Sequence, residues 1–414
     1  MRPSARLLYG TGLAAALLLP AALPVQAAPP ARTPTDLHTA DGKKGQELPG
    51  MPTALDARAE TVACTPASKE RAKKQDWSRQ RLDLDRLHRH TTGEGVTVAL
   101  ISTGVAMGAE GLDGRVTAQG EAADDCVGQG TFLAGLIAGN GGPTPRLAGV
   151  APAAKVLALR GTDRRGQPDP ALVTAAVRAA TTARADVIAV AVALPRKDTS
   201  LTRAVAEARK AGAVVVAAAS PEPPSRGPAD EIRSRTYWPA GEPGVLAVAD
   251  MLPAGARPDS ALPTGTVDLA APGAGVVSGG PRGKGHYLGA GVAVATAYTA
   301  GAAAAVRATH PEESADAVTR RLTATAYPAD IPQLDAYAAV TTVLGDAGAP
   351  AGGTERAAEP VAVRDTSDTD RATGRAVLFV LLGTAGVLSL LWAGFALTRA
   401  RARGWRPAGT PDES

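Results

Sequence analysis

The chain has 414 residues, of which 45% are hydrophobic and 20% are charged, the balance of a globular protein rather than of a disordered tail. Its 44 basic and 40 acidic side chains leave a net charge of +4, so no basic field indicates a nucleic-acid partner. Two Cys and five His exclude a Cys/His zinc module. The sequence therefore predicts neither a metal nor a cofactor.

The N-terminus has the pattern of a secretory signal. Arg2 and Arg6 precede an apolar run at residues 7–19, and Val25-Gln26-Ala27 has the small-x-small pattern that signal peptidase cleaves. This order of features predicts a signal peptide over residues 1–27. The alternative is a buried N-terminal helix.

Two segments of the chain have no sustained hydrophobic period. Residues 28–75 are rich in Pro, Gly, Thr and charge, which predicts an extended arm. Residues 346–375 are small and polar, as linkers are. The chain between them, residues 76–345, is expected to form one domain.

The C-terminal region contains an apolar run without charge, residues 376–398. At about 1.5 Å per residue such a helix rises about 34 Å, enough to cross a hydrocarbon core of about 30 Å. Four arginines follow it directly, at positions 399, 401, 403 and 406. Since basic residues stay on the cytoplasmic side, residues 399–414 are expected in the cytoplasm and the main domain outside the cell, tethered to the cell membrane by a single helix.

The two cysteines, Cys64 and Cys126, would then lie on the oxidising side of the membrane. Their even number predicts one disulfide, and closing a loop of about 60 residues would stabilise the fold by about 4 kcal/mol. Two unpaired thiols are the alternative.

Short apolar runs alternate with Ala-rich helical patterns through the central region. The predicted strands are Val96–Ile101, Val156–Leu159, Val187–Val190, Val214–Ala217 and Val245–Val248, and the predicted helices are Ala171–Ala183 and Leu201–Lys210. Near-continuous apolar strands separated by helices indicate an α/β fold with a mostly parallel sheet covered on both faces.

Five segments resemble blocks of the subtilisin-like serine proteases, in the order of that family. They are residues 95–105, 125–138, 149–160, 267–273 and 291–301. The resemblance spans roughly residues 76–345 and implies the three-layer subtilisin-like domain. The cysteine beside the second block, the cysteine-bearing arm and the C-terminal helix resemble the mycosins, membrane-anchored subtilisin-like proteases of type VII secretion systems.

Every position to which the resemblance assigns a catalytic role carries an unsuitable residue. Ser102 stands where the family has the orienting Asp, and Gln129 stands where it has the His that acts as base. Ala293 replaces the nucleophilic Ser, and Pro221 replaces the oxyanion-stabilising Asn. A Gln amide does not titrate near neutral pH, Ala has no hydroxyl, and Pro has no N–H. The domain is therefore predicted to be proteolytically inactive.

Few other side chains are candidates for chemistry. His286 lies close to the turn that resembles the nucleophile turn, but no Ser and acid accompany it, so an exposed loop histidine is expected. His88 and His90 are expected to be solvated. The adjacent pair Asp124 and Asp125 is expected to form a solvated turn rather than a metal site.

The favoured function is that of a membrane-anchored, non-catalytic structural or protein-binding component. The resemblance implies a type VII secretion system as its setting and secretion-system membrane subunits as its partners. A second hypothesis is a peptide-binding decoy or regulator that uses the old substrate cleft without cutting. A third is a serine-type endopeptidase that uses unconventional residues such as Ser102 or His286.

Overall fold

The computed structural model describes residues 47–56, 61–118, 120–143, 147–223, 234–344 and 367–404. The predicted signal peptide, the beginning of the arm, most of the predicted linker and the end of the tail lie outside the described residues. The chain divides into two units, Met1–Val343 and Leu344–Ser414. Each unit is described by itself.

A seven-stranded parallel sheet in the order β2-β3-β1-β4-β5-β6-β7 forms the centre of the first unit. Its strands are β1 Thr97–Ser102, β2 Val116–Ala118, β3 Lys155–Arg160, β4 Val187–Val190, β5 Val214–Ala218, β6 Leu246–Met251 and β7 Leu269–Pro272. An antiparallel hairpin follows, formed by β8 Val276–Gly279 and β9 His286–Gly289. The five predicted strands and the parallel sheet are confirmed.

The helices of the first unit are α1 Trp77–Arg81, α2 Leu84–Leu87, α3 Gln129–Ala138, α4 Pro170–Thr182, α5 Thr199–Lys210, α6 Val292–Thr309, α7 Ala315–Ala324 and α8 Ala336–Thr341. The two predicted helices are confirmed as α4 and α5. Each begins after an aspartate whose side chain accepts backbone N–H groups of the first turn, Asp169 for α4 and Asp198 for α5. These side chains satisfy helix donors that otherwise have no partner.

Alternate residues of the central strands face two different helical layers. In β1, Val98 and Leu100 pack in the core cluster that contains α3 and α6, whereas Ala99 and Ile101 pack in the cluster that contains α4 and α5. This two-residue period explains the continuous apolar runs of the sequence, because both faces of the sheet are covered. The helical layers and the sheet make up the three layers of the predicted fold.

Helix α6 is buried along Val292–Val306, almost its whole length. Its alanines and its one glycine allow close approach: a Cβ added at Gly301 would lie 2.7 Å from Val150 Cβ. A core with so few aromatic residues therefore packs through small side chains rather than through large ones.

The arm is hydrogen-bonded to β9. Met51 N donates to Leu288 O at 2.7 Å, and His286 N donates to Glu70 O at 2.7 Å. Further along the arm, a disulfide joins Cys64 to Cys126 across 62 positions of the sequence, as predicted. A loop of this length corresponds to about 4 kcal/mol of stabilisation in the chain-entropy model.

The second unit contains helix α9, Ser367–Ala402. It begins within the stretch that the sequence assigns to the linker and continues past the predicted end of the apolar run. Its part Leu382–Ala402, 21 residues, is long and apolar enough to cross a membrane. The basic residues Arg399 and Arg401 lie in its last turn. By length and composition this helix is a candidate membrane anchor.

Candidate functional site

The candidate site lies at the carboxyl edge of the sheet, around the end of β1. Strand β1 has β3 on one side and β4 on the other, so the chain order reverses there. In open parallel sheets, ligands bind in the crevice at the carboxyl ends of the strands beside such a switch point. Ser102, the last residue of β1, lies at this place.

Ser102 is 1% exposed. Within the residues that the structure describes, its Oγ has no hydrogen-bond partner. A Cβ added at Gly130 would lie 2.4 Å from this Oγ, so the Ser102 hydroxyl lies against the start of α3. The structure therefore brings Ser102 against the first turn of α3, the turn that Gln129 begins.

Gln129 is the first residue of α3 and is 7% exposed. In a catalytic triad the group at this position takes a proton from the nucleophile, and the group at the Ser102 position orients it with a negative charge. A neutral amide beside a neutral hydroxyl can do neither. At the positions that the family resemblance gives to the acid and the base, Ser102 and Gln129 therefore supply neither group.

Asp125, which the sequence analysis placed in a solvated turn, is fully buried. It accepts hydrogen bonds from Gly128 N at 2.7 Å, Thr131 N at 2.7 Å, Thr131 Oγ1 at 2.8 Å and Thr103 Oγ1 at 2.9 Å. Burial raises the pKa of this carboxyl, against the opposing effect of its hydrogen bonds. The prediction of a solvated turn is wrong for Asp125 because its carboxyl ties the start of α3 to the end of β1.

The start of α6 forms the other side of the candidate site. Gly291 precedes the helix with a φ of 109°, a conformation that an L side chain rarely adopts. Val292 packs in a small buried cluster with Ala193, Ala218 and Tyr237. Ala293, at the position that the family resemblance gives to the nucleophile, is buried and contributes only a methyl group.

The α3 and α6 sides of the site are close to each other. Phe132, in the first turn of α3, lies against the end of β9, because a Cβ added at Gly289 would be 2.4 Å from Phe132 Cζ. The segment leading into α6 therefore passes beside the start of α3. This places the Ser102–Gln129 pair and Ala293 at one end of the sheet.

Glu222 is a residue that the sequence analysis missed. It follows Pro221 after the end of β5, and its Oε1 accepts a hydrogen bond from Ala293 N at 3.2 Å. A Cβ added at Gly291 would lie 2.0 Å from Glu222 Oε2, so the carboxyl fills the space beside this glycine. No motif marks Glu222, because it stands in a Pro-rich stretch that has no hydrophobic period.

Glu222 as a whole residue is half-buried, but its carboxyl group is enclosed, and this burial raises the pKa of Glu222 to about 8. The backbone N–H groups of Ala293 and Val292 favour the charged form, whereas the Asp250 carboxyl disfavours it. Asp250, in β6, has its own pKa raised, chiefly by burial. The Glu222 carboxyl at the start of α6 therefore releases its proton less readily than an ordinary glutamate does.

His286 is not the exposed loop histidine that the sequence predicted. It begins β9, is 8% exposed, and its Nδ1 accepts a hydrogen bond from Ala72 N at 2.9 Å. Burial and then the nearby Arg71 lower its pKa. Its hydrogen bond with Ala72 therefore joins β9 to the arm and does not involve the start of α6.

The other two candidate histidines differ from each other. His88, expected to be solvated, is half-buried, and its Nε2 lies 3.0 Å from Gly149 O. His90 is exposed and meets the ring of Tyr337 edge-on. In the described ranges of the chain, no group of three or more His, Cys, Asp and Glu side chains is placed to hold a metal ion.

The sequence profile of the subtilase family matches residues 93–362, so the chain belongs to the subtilase family. Its relatives include mycosins. Mycosin-3 of Mycobacterium tuberculosis is 28% identical over 389 residues, which cover 76% of this chain and 83% of the relative. Mycosin-1 of the same organism is 31% identical over 303 residues, 60% of this chain and 68% of the relative.

Solved structures of mycosins have the same fold. The crystal structure of MycP1 from Mycobacterium smegmatis superposes with a TM-score of 0.59 at 27% identity, covering 73% of this chain and 93% of that one. The MycP3 protease from the type VII (ESX-3) secretion system gives a TM-score of 0.59 at 26% identity, covering 72% and 98%. The subtilisin-like fold and the mycosin resemblance are thereby confirmed.

Proposed function

We propose that this protein is a non-catalytic mycosin-like component of a type VII secretion complex, anchored in the cell membrane by its C-terminal helix. Its subtilase domain would act outside the cell as a structural or protein-binding surface. The secretion-system setting comes from the solved relatives, among which MycP1 is described as an essential component of the type VII (ESX-1) secretion system.

The observation that carries the proposal is the chemistry at the end of the sheet. Ser102, Gln129 and Ala293 stand at the triad positions of the family resemblance, and Pro221 stands at the oxyanion position. Together they supply neither a base, nor a nucleophile, nor an oxyanion donor.

The proposed layout has five parts besides the subtilase domain at residues 76–345. They are a signal peptide at residues 1–27, an arm at 28–75, a linker at 346–375, a membrane helix at 376–398 and a cytoplasmic tail at 399–414. The start of α9 at Ser367 shortens the irregular part of that linker. A single cleavable signal and a single helix put the subtilase domain outside the cell.

Co-purification from native membranes tests this function. We expect the full-length chain, extracted in mild detergent, to recover identified secretion-system membrane subunits in stoichiometric amounts, as measured by mass spectrometry. The matched control joins residues 344–414 to an unrelated extracellular domain. This control should recover none of them, because the subtilase domain supplies the binding surface.

Two outcomes would contradict the proposal. If the full-length chain were recovered without any membrane subunit, the proposed structural role would be wrong. If the control recovered the same subunits in equal amounts, residues 344–414 and not the subtilase domain would bind them. Recovery with a soluble secreted peptide would favour the second hypothesis, a module that binds peptide in the old cleft. In that case bulky substitutions at Gly291 and Ala293 should abolish binding.

A further inference from the structure

We propose that Glu222 is an internal plug, whose carboxyl binds the start of α6 and keeps the vacated catalytic position closed to other ligands. The inference rests on the proposed function, because it concerns how a site without catalytic chemistry is kept shut. It assigns a regulatory contact to a residue to which the family resemblance gives no role.

The first support is the missing cap of α6. This helix begins after Gly291, which has no side chain to accept a hydrogen bond, and its first turn contains no acidic residue. The first N–H groups of a helix need acceptors from outside it, and an oxygen of a carboxyl group can be such an acceptor whether the group is neutral or charged. Glu222 supplies this acceptor from the segment after β5, by its bond with Ala293 N.

The second support is the place that the carboxyl occupies. Ala293 stands at the nucleophile position, where an incoming peptide would bring its carbonyl carbon. Glu222 Oε1 is 3.2 Å from the backbone nitrogen of this residue. A ligand oxygen that approached the same N–H would have to displace Glu222 first.

The third support is how tightly the carboxyl fits. Its Oε2 occupies space that even a methyl group on Gly291 would enter, at 2.0 Å from that Cβ position. On the other side of this turn, Val292 is buried against Ala218 and Tyr237. Polar and apolar contacts together therefore close the turn at the start of α6.

The charges around Glu222 determine how the contact responds to pH. The Asp250 carboxyl in β6 raises the pKa of Glu222, and Arg257 acts to lower the pKa of Asp250. The basic residue of α6 lies in the last turn of that helix, at the end away from Glu222. Burial raises the pKa of Glu222 from its ordinary 4.5 to about 8 in the closed contact. A group whose pKa is higher in the closed state binds its proton more tightly there, so the closed state weakens as the pH rises from 4.5 to about 8.

Amide hydrogen exchange at the start of α6 tests the plug in the full-length protein. Wild type, Glu222→Gln and Glu222→Ala would be compared at about pH 4, below the ordinary pKa of Glu, and at about pH 9.5, after correction for intrinsic exchange rates. Gln keeps the size and the acceptor of Glu but stays neutral, so it is the matched control. We expect wild type and Glu222→Gln to exchange alike at the lower pH.

At the higher pH we expect exchange of the Val292–Ala293 amides to become at least about a hundredfold faster in wild type, because each pH unit between the two pKa values weakens the closed state about tenfold, and to stay unchanged in Glu222→Gln. Glu222→Ala should exchange faster than Glu222→Gln at both pH values. Identical exchange in wild type and Glu222→Gln at both pH values would overturn the proposal, even if the Ala variant did not fold. Peptide hydrolysis by the wild type would instead overturn the proposed function without altering the exchange result.

Discussion

Replacement of Asp125 by alanine is expected to lower the free energy of unfolding by about 4 kcal/mol or more, since it would leave several buried donors unpaired at about 1–3 kcal/mol each. The carboxyl accepts four hydrogen bonds from Gly128, Thr131 and Thr103. The two threonine hydroxyls in turn accept from Ala106 N and Gly130 N. Loss of one carboxyl would therefore loosen both the end of β1 and the start of α3.

Urea unfolding of the full-length chain in mild detergent, followed by tryptophan fluorescence, would measure this loss. The matched control is Asp124→Ala, which removes the neighbouring carboxyl. Asp124 is exposed and forms only a 3.8 Å surface ion pair with Arg282, so about 1 kcal/mol or less is expected. Equal losses in the two variants would show that the buried network does not stabilise this part of the fold.

Replacement of Arg79 by alanine is the second large effect that we expect. It should lower the free energy of unfolding by about 3–5 kcal/mol, the range for breaking a buried ion pair. Arg79 is 1% exposed and pairs with Asp76. Its guanidinium also donates to the carbonyl oxygens of Leu147, Ala148 and Val277. Without this guanidinium, the Asp76 carboxylate keeps its bonds from Ser78 Oγ, Arg79 N and Val277 N but loses its buried counter-charge, and three carbonyl groups lose a donor.

The control for Arg79 is another arginine with the same spacing to its partner. Arg86→Ala breaks the ion pair between Arg86 and Asp83, and both side chains of that pair are exposed. Water can replace such a pair, so a much smaller loss is expected. The same unfolding experiment compares the two variants. If Arg79→Ala lowered the free energy of unfolding no more than Arg86→Ala does, this would contradict the view that the buried Arg79–Asp76 pair stabilises the packing of α1 on the domain.

The sheet could be predicted from the sequence because its strands bury both faces. Runs such as Val214–Ala217 and Val187–Val190 are continuously apolar, and the helices between them begin at recognisable aspartate caps. The hairpin β8–β9 was not predicted, since His286–Gly289 is short and contains Gly and His. Its position depends on pairing with the arm, which is a distant part of the sequence.

The sequence predicts where the candidate site lies, and this stays a prediction, but it does not predict the electrostatics of that region. The positions of Ser102, Gln129 and Ala293 followed from motifs that have fixed local spacing. The roles of Asp125 and Glu222 arise from segments that meet only in three dimensions: Asp125 is fully buried, whereas Glu222 is half-buried and is held by its hydrogen bond with Ala293 N. Adjacent or Pro-flanked carboxylates are usually solvated, so sequence alone favoured the wrong environment for Asp125 and gave none for Glu222.

Peptide hydrolysis by the purified full-length protein most directly tests the claim that this subtilase does no catalysis. A catalytically competent mycosin, purified in the same detergent, would serve as the positive control. We expect no turnover above the buffer rate, because the residues at the positions that the family resemblance gives to the triad and the oxyanion donor cannot fill those roles. Turnover that disappears in Ser102→Ala or His286→Ala would contradict the account and establish an enzyme with unconventional catalytic residues.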